Sequence, residues 1–144
     1  MDIYVFVYGT LREGEINDAR LLAARLGLPA PEPMGRARVR GRLYDFGDWP
    51  GLVEAADGPA VLGEVYRIGP ALLAAMDEVE EYVPGQDTLF VRRRVELDLG
   101  GRPLSCFFYP IDPRQTGAAV PIDHDDWIAY RRARQGAATG GAVG

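Results

Sequence analysis

The chain predicts an α+β fold built on a curved, largely antiparallel or mixed sheet. Three observations carry this. Segments with strand character dominate. Several of them succeed one another with no helical segment between. Only one helical segment, near Ile16 to Leu26, separates consecutive strands early in the chain. A regular strand–helix alternation, which would mark a parallel doubly wound sheet, is missing. The 144 residues suit one domain with its own core, read as 1–135, with 136–144 ("GAATGGAVG") as a disordered Gly/Ala-rich tail.

"IYVFVYG", Ile3 to Gly9, is β-branched and aromatic without polar alternation. That pattern belongs to a central strand buried on both faces. "GTLREGEINDA" interrupts it. In "INDARLLAARLG", Leu21, Leu22 and Leu26 stand at helical spacing and Gly27 suits a helix stop. A proline-rich connection, "LPAPEPMG", leads to "GRARVRGRLYDF". There Ala37, Val39, Gly41 and Leu43 alternate with Arg36, Arg38, Arg40 and Arg42. A period of two is a half-buried strand, and the arginine row reads as its solvated face.

"GDWPGL" is a turn, "LVEAADGPA" a short strand and turn, and "VLGEVYRIG" another strand. Pro70 opens a helix over "PALLAAMDEVEEY", since proline suits the first helical position. "TLFVRRRVELDLGGRPLSCFFYP" reads as a hairpin turning at Gly100-Gly101. "PIDHDDWIAYRRARQG" is a closing helix with acids at its start and arginines toward its end, as the helix dipole favours.

Composition excludes several functions. The net charge of −5 argues against a nucleic-acid partner, whose phosphates attract basic surfaces. No apolar run approaches the ~20 residues a membrane span needs, and the N-terminus lacks the basic start of a signal peptide. With one cysteine no intramolecular disulfide can form, and a cytoplasmic location is the simple expectation. Cys106 sits in the apolar run "LSCFFY" and reads as buried and inert. One histidine and one cysteine cannot make the usual nitrogen and sulfur zinc site. His124, in "DHDDW", reads as a surface or capping residue. No phosphate loop, dinucleotide fingerprint or nucleophile elbow is present.

Two stretches could carry chemistry. In "YGTLREG", a buried strand ends at Tyr8 and Gly9 follows at once. Glycine lets a ligand approach the main chain, and amides in such a loop can face an anion or developing oxyanion. The second stretch is "MDEVEEYVPG", with Asp77, Glu78, Glu80 and Glu81 around a helix end. On a helix from Pro70, Glu80 falls in line with Leu73 and Met76, at the edge of the apolar stripe, while Glu78 points to water. A carboxylate over apolar surface has a raised pKa and can shuttle protons near neutral pH. Asp77 could orient the helix end or accept a loop amide.

Taken in order, these pieces resemble the gamma-glutamylcyclotransferase-like family. The quoted motifs are "VYGTLR", "GRLYDFGDWPGLV", "GEVYRI", "MDEVEEY", "LFVRRRVEL" and "CFFY", running from about Tyr4 to Tyr109. The resemblance implies a small mixed, mostly antiparallel β-barrel flanked by helices. It implies a general acid/base role for Glu80 and a substrate-binding loop at Tyr8, Gly9, Thr10 and Leu11. It implies no cofactor, no metal and a small-molecule gamma-glutamyl substrate that cyclises to 5-oxoproline. The sequence departs from the family pattern at Met76 for leucine, Glu81 for glycine and Phe90 for tyrosine. These departures motivate a second reading, a binding or regulatory module that uses the same pocket without turnover.

Overall fold

The computed structural model describes residues 2–143, with side chains through Gln135; the tail expected at 136–144 lies outside the fully described residues. Its elements are β1 (Ile3–Val7), α1 (Ala19–Arg25), β2 (Glu32–Asp45), β3 (Pro50–Glu54), β4 (Ala60–Ile68), α2 (Pro70–Val79), β5 (Arg93–Leu99), β6 (Arg102–Phe108), β7 (Val120–Pro121) and α3 (Trp127–Val143). The strands form one sheet in the order β3-β2-β4-β1-β6-β5, with β7 added to β2. Every named strand pair is antiparallel except β1 with β6. This is the expected α+β class, a curled mixed and mostly antiparallel sheet with helices outside it.

β1 is central, as its unbroken apolar run predicts, and it separates two cores. Val5 and Val7 face a core shared with Leu22 of α1 and Leu72 and Met76 of α2. Phe6 and Tyr8 face the opposite way, into a core with Val39, Leu43, Phe108 and Trp127. Strand alternation thus explains why no polar residue interrupts β1: both of its faces are dry.

β2 does the curling. Its first part pairs with β4 and its last part with β3, after a register shift between Pro33 and Gly35. Gly35 has φ +136°, a value open to glycine, and a Cβ there would lie 3.4 Å from Leu99 Cδ1 at the end of β5. The start of β2 and the end of β5 therefore approach one another although they are not adjacent in the sheet order. Ala37, Val39, Gly41 and Leu43 are buried while the four arginines between and beside them are exposed, as the period of two predicts.

Three local expectations need correction. In α1 the buried face is Ala19, Leu22 and Ala23, whereas Leu21 and Leu26 are 57% and 54% exposed. The helix spans only seven residues, so a single stripe meets the core. The strand expected from Thr88 starts at Arg93; before it, Phe90 makes one isolated bridge to Ile111. Glu80 is not within α2. The helix stops at Val79 and Glu80 is its C-cap. Among the described residues, no helix is long and apolar enough to cross a membrane.

Candidate active site

A narrow slot opens where β1 ends. Tyr8, Gly9, Thr10 and Leu11 line it together with Glu80, Phe90 and Tyr109. The structure therefore brings the five residues singled out in the sequence to one place. The slot widens outward, past Thr10, Trp49, Glu80 and Phe90, into a cleft of about 480 Å³.

The loop after β1 owes its shape to its carbonyls. Gly9 O accepts from Arg12 N, Thr10 O from Asn17 N and Leu11 O from Ala19 N, at 2.9–3.1 Å. Among the described residues no protein acceptor takes the amides of Gly9, Thr10 or Leu11. Gly9 also packs where no side chain fits, since a Cβ would sit 2.6 Å from Pro50 Cγ. Buried charge anchors the loop. Arg12, 3% exposed, donates from Nε to Glu64 Oε2 (3.0 Å) and from Nη1 to Asp126 Oδ1 (2.9 Å). Asp126 Oδ1 also accepts from Ile128 N, so the cap of α3 and the loop share one carboxylate.

The predicted loop residues do different jobs. The Tyr8 hydroxyl donates to Tyr109 O (2.8 Å) and accepts from Leu52 N (3.0 Å), which makes it a strut joining β1, β3 and the end of β6. Burial and the charge of Glu80 both raise its pKa, so it stays protonated. Thr10 Oγ1 accepts from Asn17 Nδ2 (3.1 Å), and Leu11 belongs to the core.

Glu80 reaches the slot through the way α2 ends. Tyr82 N donates to Asp77 O (2.9 Å) and Glu81 N to Glu78 O (3.1 Å), the paired bonds of a Schellman turn. The left-handed position of that turn falls on Glu81, with φ +54°. Glu80 as a residue is partly exposed at the slot mouth, yet its carboxyl is poorly solvated. Desolvation raises its pKa to about 8.

Behind Glu80 lies a polar chain that sequence reasoning did not assemble. Tyr109 Oη donates to Asp77 Oδ1, and Arg92 Nη1 donates to Asp77 Oδ2, both at 2.6 Å. The Arg92 guanidinium lies over the rings of Phe107 (5.0 Å) and Tyr82 (5.6 Å). Burial, then the Asp77 bond, raises the Tyr109 pKa. Tyr109 stood at the end of the quoted "CFFY" and Asp77 beside Glu80, but nothing in their spacing joins them. Trp49, in "DWPG", also reaches the slot from its turn. Cys106 is buried, with burial pushing its thiol up to about 11. His124 packs edge-on against Tyr130, away from the slot.

Comparison with known proteins identifies the family. The sequence model of the family described as gamma-glutamyl cyclotransferase, AIG2-like matches residues 5–129. The gamma-L-glutamyl-butirosin B gamma-glutamyl cyclotransferase of Niallia circulans is 38% identical over 132 residues, which cover 88% of this chain and 76% of that protein. The gamma-glutamylaminecyclotransferase of Bos taurus is 34% identical over 119 residues, covering 73% of this chain and 63% of that protein. Among solved structures, a mouse AIG2-like protein superposes with a TM-score of 0.68 over 88% of each chain, at 23% identity. That likeness concerns the fold. The family match and the relatives together establish that this chain is an enzyme of the gamma-glutamyl cyclotransferase, AIG2-like family.

Proposed function

We propose that the protein releases 5-oxoproline from a gamma-glutamyl amine or peptide, with Glu80 as general acid and base. The substrate supplies its own nucleophile. Its α-amino nitrogen attacks the γ-carbonyl carbon, a C–N bond forms to close a five-membered ring, and the C–N bond to the leaving amine breaks. No cofactor enters this balance. The α-ammonium loses one proton to become a nucleophile and a second as its nitrogen becomes the ring amide, and the departing nitrogen gains one to leave as an amine.

The observation that supports this reading best is the poorly solvated Glu80 carboxyl at the mouth of a slot lined by Gly9, Thr10 and Leu11. With its pKa raised to about 8, the carboxyl can both take and give a proton near neutral pH. The same carboxyl, once protonated, is a competent acid for the leaving nitrogen. The amides of Gly9, Thr10 and Leu11, whose carbonyls are occupied within the loop, are the donors for substrate oxygens. Holding amine and carbonyl together converts a slow ring closure into a positioned one, an effect that reaches ~7–11 kcal/mol in favourable cases.

The test is direct. Purified protein and Glu80→Gln are incubated with gamma-glutamyl amines and peptides, and 5-oxoproline is measured by mass spectrometry. Product from the wild type alone is expected. Near-wild-type turnover by a folded Glu80→Gln would remove Glu80 from the role.

A further inference from the structure

We infer that Arg131 and Arg134 of α3 are positioning residues for the reaction: they tie together two walls of the site mouth and so set how firmly it holds its substrate. This deepens the reading above and rests on it for the substrate, while the tie itself has a test that needs none.

The mouth lies between two segments. Residues 9–17, the loop after β1, contribute Gly9, Thr10, Ile16 and Asn17. Residues 46–49, the turn between β2 and β3, contribute Asp48 and Trp49. Among the described residues no hydrogen bond or ion pair passes directly from one segment to the other. The two segments and Arg131 together line a further cavity of about 330 Å³.

The connection runs through α3. Trp127, Tyr130, Arg131 and Arg134 fall at i, i+3, i+4 and i+7, one stripe of the helix. Trp127 heads the stripe and is fully buried in the core. Arg131 grips the loop. Its Nε donates to Glu15 Oε1 (3.1 Å) and its Nη2 to Glu15 Oε2 (2.5 Å), a two-pronged bond to a residue only 7% exposed. Arg134 grips the turn. Its Nη1 donates to Asp45 Oδ2 (2.8 Å) and its Nη2 to Gly47 O (2.9 Å). Tyr130 Oη donates to the same Asp45 oxygen (2.6 Å), and Gly47 N donates to Asp45 Oδ1 (2.7 Å).

A surface ion pair is ordinarily worth little. These two bonds differ, because each uses two nitrogens of one planar guanidinium and so fixes direction as well as distance. Among the described residues, none of the α3 side-chain bonds goes to Glu80, Asp77 or Tyr109. Cutting the tie should therefore loosen binding and leave proton transfer in place.

The experiment pairs steady-state kinetics on a gamma-glutamyl amine with acrylamide quenching of tryptophan fluorescence, both well below each variant's melting midpoint. The chain has two tryptophans, Trp49 at 40% exposed and Trp127 fully buried, so quenching reports on Trp49 in the turn. Arg131→Met should raise KM roughly tenfold with kcat held within about twofold, the signature of lost uniform binding. It should also raise the quenching constant of Trp49, although Arg131 grips the opposite wall. Arg134→Met should match it in KM, and the double variant should exceed either by less than about twofold, because a tie cut at one end is already cut. Arg132→Met removes the same charge from an exposed position of α3 and should behave as the wild type in both readouts. Unchanged KM with only a lower apparent kcat would reduce the two arginines to fold stability and overturn the inference. Multiplicative KM effects in the double variant, or quenching unmoved by Arg131→Met, would overturn it too. If no gamma-glutamyl compound yields 5-oxoproline even with the wild type, the cyclotransferase reading fails, and quenching of Arg131→Met against Arg132→Met still decides the tie.

Discussion

Asp77 and Tyr109 meet 2.6 Å apart, oxygen to oxygen, and so join the last turn of α2 to the residue following β6. Glu80 sits three positions after Asp77, on the turn that this bond steadies. Each oxygen of the Asp77 carboxylate accepts from one donor, Tyr109 on one and Arg92 on the other. Asp77→Asn keeps the shape but turns one acceptor into a donor facing a donor. A stability loss of about 1–3 kcal/mol is expected. A drop of roughly tenfold in 5-oxoproline formation is also expected, equal to ~1.4 kcal/mol of misplaced carboxyl. Denaturant unfolding and rate measurements on one preparation check both. Unchanged turnover would show that Glu80 holds its place without this support.

The Glu80 pKa carries a signed prediction about stability. Folding raises it to about 8 from an unfolded value of ~4.3. Between those values the folded state holds a proton that the unfolded chain has lost. The favourable contribution is complete below the unfolded pKa and fades as pH rises through 8. Wild-type stability should therefore fall relative to Glu80→Gln between pH 5 and pH 9, by about 1–2 kcal/mol once partial exposure is allowed for, and its Tm should fall with it. Parallel Tm curves over that range would contradict a desolvated carboxyl.

Arg12 is a buried cation with two carboxylate partners, Glu64 and Asp126. Arg12→Met leaves both partners without their cation and should cost about 3–5 kcal/mol. Adding Glu64→Gln should recover part of the loss, because the two side chains are coupled. Urea midpoints of the single and double variants measure this; strict additivity would rule out the coupling.

Gly9→Ala places a methyl 2.6 Å from Pro50 Cγ, and the proline ring has little freedom to move away. The loop must shift, at a cost of about 1–3 kcal/mol. KM for a gamma-glutamyl amine should rise more than stability alone accounts for, since the amides of Thr10 and Leu11 move with it. Steady-state kinetics beside a thermal melt separate the two effects.

Where a pattern is local, the sequence by itself determined the result. The unbroken run of β1, the arginine alternation of β2, Pro70 at the head of α2 and the Gly100-Gly101 hairpin all follow from backbone periodicity and turn chemistry, and all appear as read. The motif resemblance likewise placed Glu80 and the Tyr8–Leu11 loop among the residues that converge on the slot.

Tertiary structure decided what local pattern cannot carry. Helical spacing put Glu80 on the edge of α2, but the Schellman turn through Glu81 made it the cap and aimed it at the slot. Spacing gave Leu21 and Leu22 equal claim to the core, and only the docking of α1 chose Leu22. Asp77, Arg92 and Tyr109 come from three segments, and Arg12 finds Asp126 across 114 positions. Contacts between residues so far apart depend on how the sheet curls, and that depends on the packing of every strand at once. Desolvation has the same origin. A carboxyl's pKa rises this far only when distant parts of the chain exclude water from it, so the pKa of Glu80 belongs to the fold rather than to its place in the sequence.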